Sequence, residues 1–144
     1  MTHIYTRMDQ IFTFSSEALF IARVSVSVFF GILFIQSGFD KVFNFRENLS
    51  YLYDHFSKTF IGAAVPVVFI IITVFEVLAG LTSAYGAVEL IIHKRTEVAL
   101  LGIELSVLSL LFLFFGLRVA KDYPGATSLV AYFSASIISL FILA

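Results

Sequence analysis

Cysteine is absent from the 144 residues, which excludes disulfides, thiol redox chemistry, iron–sulfur clusters and cysteine nucleophiles. Charge is scarce. Asp, Glu, Lys and Arg make up 13% of the chain, where a soluble domain carries about 25%. Net charge is −1, so the strongly basic surface that nucleic acid requires is missing. Proline occurs twice, at Pro66 and Pro124, and neither position interrupts a long apolar run. The three histidines, His3, His55 and His93, also fall outside those runs, which leaves no axial pair for a haem inside a bundle. No Gly-rich phosphate loop, hydrolase carboxylate pair, Ser/His/Asp set or metal-ligand cluster stands out.

What fills the chain is oil. Hydrophobic residues are 60% of the sequence and mean hydropathy is +1.00. A globule this small cannot bury that many apolar side chains in one core, so lipid must be the solvent for most of them. A bilayer core roughly 30 Å thick takes about 20 apolar residues as helix. Four stretches qualify: Ala18–Phe39, Ile61–Gly86, Thr96–Leu117 and Gly125–Ala144. They predict an all-α integral membrane four-helix bundle, a single transmembrane domain over residues 1–144. Pro66 and the Pro124–Gly125 pair sit at span openings, where a missing N–H does least harm. Residues 1–16, with Arg7, Asp9, Ile11, Phe12 and Phe14, read as an amphipathic lead-in.

The longest connection, Asp40–Phe60, mixes aromatic and charged residues. Leu49, Leu52, Tyr53, Phe56 and Phe60 recur at helical spacing, which predicts an aromatic-rich interfacial segment between the first two spans. It is either an anchor at headgroup depth or a lid over a lipid-like site.

Three spans each hold one ionisable residue: Arg23, Glu76 and Glu104. Counted from the N-terminal side of the first span, these stand roughly 8, 15 and 12 Å deep at the helical rise. Intramembrane charges usually face the bundle interior in pairs. The expectation is one buried charge layer in which Arg23 pairs with Glu76 and Glu104 lies nearby. Such a layer is either an ion pair that fixes helix register or a protonatable carboxylate beside a bound small molecule. Small and hydroxylic residues, Ser27, Thr73, Ser83, Ser136 and Ser139, fall on the faces expected to line the bundle, with Ser128 and Tyr132 in the same row of the last span. Glu104 points away from Gly102, Ser106 and Ser109 on its own helix, which implies a second interface or a carboxyl held neutral.

These residues resemble a known family. Arg23, Phe29-Phe30-Gly31 and the run Ser37-Gly38-Phe39-Asp40-Lys41-Val42-Phe43-Asn44-Phe45 are similar to the first-helix signature of DoxX-like membrane proteins. Glu76-Val77-Leu78-Ala79-Gly80-Leu81, with Tyr85-Gly86, resembles the family's second-helix pattern. The resemblance covers roughly residues 20–86, and its matching positions are Arg23, Lys41 and Glu76. His93-Lys94-Arg95 lengthens a turn that is short in the family, and Glu104 has no counterpart. The resemblance implies a four-helix protein of the bacterial inner (cytoplasmic) membrane. It further implies an accessory or assembly subunit of a larger redox complex, with a quinone- or lipid-binding cavity. No cofactor is expected to be bound covalently, and quinone is the candidate ligand. Two alternatives stand beside it. One is a quinone-linked oxidoreductase subunit in which Glu76 or Glu104 exchanges protons. The other is a small transporter, disfavoured because no discontinuous helix or inverted repeat is evident.

Overall fold

The computed structural model describes residues 2–144, with side chains from Thr13 onward; Arg7, Asp9, Ile11 and Phe12 of the expected lead-in lie outside those side chains. Five α-helices run through the described residues: α1 (Thr2–Phe43), α2 (Phe45–Phe56), α3 (Val65–His93), α4 (Glu97–Val119) and α5 (Tyr123–Leu143). Four segments are long and apolar enough to cross a membrane: Thr13–Phe43, Gly62–His93, Glu97–Val119 and Tyr123–Leu143. The protein is an all-α, integral membrane four-helix bundle, and α2 is the segment between its first two spans.

Each turn has a local cause. Lys94 takes a left-handed conformation (φ 58°) and its N–H closes on the Leu90 carbonyl, ending α3. Lys94 Nζ then lies over the Phe20 ring at 3.6 Å, tying this turn to α1. At the other end of the bundle Lys121 is left-handed (φ 61°), and the Asp122 carboxylate accepts from Gly125 N–H to cap α5. Pro124 sits in the first turn of α5 and Pro66 in the first turn of α3, as their positions require.

Consecutive spans pack as neighbours, α1 on α3, α3 on α4 and α4 on α5, with α5 returning to touch α1. Small residues set the register. A Cβ on Gly31 would stand 3.2 Å from Ala84, and one on Gly38 3.1 Å from Val77 N, so these pairs face across α1 and α3. The backbones come closest at Gly80 of α3 against Ile35 of α1, and between α3 and α4 at Gly86 against Ala99 and Gly102 against Ser83. Phe30, Phe34, Leu90, Ile103 and Leu143 fill the space left between the helices. Most other large apolar side chains are exposed, as lipid-facing positions should be.

Candidate functional site

The expected charge layer does not form. Glu76 is fully buried, and its partner is Lys41 rather than Arg23: Lys41 Nζ stands 2.8 Å from Oε2 and 3.1 Å from Oε1. Ser37 completes the group. Its hydroxyl donates to Glu76 Oε1 at 3.1 Å and accepts from Lys41 Nζ at 2.8 Å. Arg23 is at the opposite end of the bundle, where its Nε donates to the Ile142 carbonyl at 2.8 Å. Facing residues of α1 and α3 put Arg23 level with the last turn of α3, roughly 24 Å of helix from Glu76. Glu104 is exposed on α4 and makes no hydrogen bond or ion pair among the described residues.

The larger part of the difference comes from the true end of α3. The depth count placed the second span's end at Gly86, but the helix runs on to His93, which moves Glu76 about 10 Å towards the other face. Lys41 is a position of the family resemblance, but with the first span expected to end at Phe39 it falls two residues outside it, and its pairing with Glu76 is not predicted. In the structure α1 is continuous to Phe43, and the long lysine stem reaches back into the bundle.

The hydroxyl-bearing residues behave differently from the charges. Ser27, Thr73, Ser83, Ser136 and Ser139 are all buried. Four of them bond to a carbonyl of their own helix: Ser27 to Arg23, Thr73 to Phe69, Ser136 to Phe133 and Ser139 to Ala135. They serve as small, self-satisfied packing residues. Ser83 Oγ is buried without a hydrogen-bond partner against Gly102. Ser128 and Tyr132, placed in the same row by spacing, are exposed.

An apolar hollow with a few polar groups in its lining lies at the Lys41 end, beneath α2. It is a cavity of about 130 Å³, walled by apolar side chains of α3 and α4 such as Phe69, Ile72, Leu113 and Leu117, with Gly116 also in its lining. The roof is α2. Phe45 packs on Phe69 with ring centroids 5.1 Å apart, and Phe56 is buried. Helix α2 leaves Arg46, Glu47 and Asp54 exposed on its outer side. Phe60, expected on the same helical face, is 81% exposed because α2 ends at Phe56. Two fixed points hold the roof in place. Asp40 accepts from Asn44 Nδ2 at 2.8 Å where α1 gives way to α2, and Gly62 comes so close to the Phe56 carbonyl that an added Cβ would stand 2.9 Å from it.

Polar groups are few in this apolar hollow. Lys41, His55, Tyr51 and Asp122 contribute to the lining. His55 stacks on Tyr51 (centroids 5.5 Å, 17° between planes), and its Nε2 is buried with no hydrogen-bond partner. A buried imidazole nitrogen left open in this way can meet the oxygen of a bound molecule. In the sequence His55 lies outside the expected spans. The one signal for it was its place, one position before Phe56, on the helix predicted to be an anchor or a lid.

Compared with family models, curated proteins and solved structures, the chain has no match.

Proposed function

We propose that the protein is a small subunit of the bacterial inner membrane that holds a lipid-phase molecule, a quinone or a lipid, under α2. In that role it is an accessory or assembly member of a larger membrane redox complex of the DoxX-like kind. The observation that carries this reading is the cavity: apolar walls, a roof helix between the first two spans, and an unsatisfied His55 nitrogen with Lys41 and Asp122 also in the lining. An apolar cavity of about 150 Å³ accommodates a benzene ring, so a hollow of this size takes one ring or a short acyl segment. A ring with oxygen substituents and an apolar tail fits both its apolar walls and its few polar groups. Lys41 and Glu76, two of the three positions that carry the family resemblance, form the ion pair next to the cavity, which further supports the reading.

The oxidoreductase alternative asks Glu76 or Glu104 to exchange protons with the bound molecule. Glu76 is held by Lys41 and Ser37, and Glu104 is on the outer face of α4, so the geometry favours binding over proton transfer. Native mass spectrometry of the protein, released from lipid nanodiscs prepared from its own membrane, tests the reading. A bound quinone or lipid that survives delipidation is expected. Release of an empty chain from every preparation contradicts it.

A further inference from the structure

Glu104 is the acidic residue that the bundle leaves unexplained. It lies seven residues beyond Glu97, roughly 10 Å into a helix whose length matches the hydrocarbon core. A glutamate stem is too short to carry its carboxylate back to the interface over that distance. Exposed apolar side chains are ordinary on a face that meets lipid, so Leu101, Leu108, Leu111 and Phe115 on the same face signify nothing alone. A carboxylate among them does, because an intramembrane charge is costly and is nearly always paired. Leu101, Glu104, Leu108, Leu111 and Phe115 also recur at alternating spacings of three and four, the seam by which one helix packs along another.

We infer that this face of α4 docks a transmembrane helix of a partner protein that presents a lysine or arginine at the depth of Glu104. Charge complementarity selects that occupant. The two cations within this bundle are already engaged, Lys41 with Glu76 and Arg23 with the Ile142 carbonyl. Arg46, Lys58, Lys94, Arg95, Arg118 and Lys121 all lie at the ends of the spans. Among the residues whose side chains are described, a second copy inserted the same way therefore brings no cation to this level, and a two-fold pairing along the seam sets carboxylate against carboxylate. The inference rests on the subunit reading above but uses a different surface from the ligand cavity.

The probe is a synthetic leucine–alanine transmembrane helix of about 23 residues with a single lysine at its eighth position, alongside a control with leucine there. Because the chain lacks cysteine, His93→Cys at the exposed end of α3 accepts one fluorophore, and energy transfer in liposomes reads association. The lysine helix is expected to associate about tenfold more tightly than the control. Glu104→Leu should reduce it to the control level without loss of fold, since Glu104 touches no polar group of its own chain. Equal association of both probes overturns the inference. So does a lysine preference that survives Glu104→Leu, or a Glu104-dependent association of the chain with itself. Quinone binding measured on the same Glu104→Leu sample reports separately on the cavity and is expected to be unchanged.

Discussion

Ser37 and Glu76 meet across α1 and α3, the serine hydroxyl donating to Oε1 at 3.1 Å while it accepts from Lys41. The lysine ammonium thus reaches the carboxylate both directly and through the serine. Glu76 is fully buried and the Lys41 side chain is 19% exposed, so the pair is shielded from solvent on one side only. Removing one member of a buried pair leaves an uncompensated charge, which costs about 3–5 kcal/mol, whereas replacing both with apolar residues is often neutral. Lys41→Met should destabilise the bundle by that order, and Lys41→Met with Glu76→Leu should recover most of the loss. Equilibrium unfolding in mixed micelles checks this. Equal losses for the single and double variants contradict it.

Two glycines of α4 make a paired test of the packing. A Cβ on Gly102 would stand 2.6 Å from Ser83 N, against backbone that cannot yield without parting α3 from α4. One on Gly116 would meet only Phe56 Cζ, at 3.8 Å. Gly102→Ala is therefore expected to destabilise by about 1–3 kcal/mol, the usual cost of overpacking. Gly116→Ala should instead stabilise by about 0.5–1 kcal/mol through its better helix propensity. Thermal unfolding of the two variants in the same detergent gives opposite signs if the register is right.

The contrast between these residues and the ionisable ones shows what a sequence can disclose here. Four apolar runs, bounded by Pro66 and Pro124, are legible because hydrocarbon thickness and helix rise dictate them. The lining role of Ser27, Ser83 and Ser136 is legible too, since small residues at helical spacing mark close approach. Depth is not. It depends on where each helix ends, and α3 ends at His93 because Lys94 turns left-handed and packs on Phe20, a tertiary contact. An error of seven residues there was enough to assign Glu76 the wrong cation. His55 is legible only through its place on the helix expected to be an anchor or a lid, because its position in the cavity lining arises from α2 folding back over α3 and α4.

Arg23 offers a third test. The last carbonyls of a helix lack intrahelical donors, and in a membrane no water replaces them. Arg23 Nε supplies one to Ile142, placing a positive group at the negative end of α5. Arg23→Leu should cost about 1.5–3 kcal/mol, the range for a hydrogen bond to a charged group. Amide exchange should rise in the last turn of α5 while the Gly102–Ser83 contact region stays protected. Uniform loss of protection across all four spans would show that Arg23 does something other than tie this end.

The hollow beneath α2 has about the volume that a ring needs. Gly116 lines it, and a larger side chain there points into open space rather than into backbone. Gly116→Leu should fill the cavity and leave the bundle intact. The direct measurement is binding of a short-tailed quinone to the wild type and to Gly116→Leu in nanodiscs. Saturable binding by the wild type, weakened at least about tenfold by the added side chain, a change of about 1.4 kcal/mol, is the predicted result. Equal binding by both proteins, or none by the wild type, contradicts it.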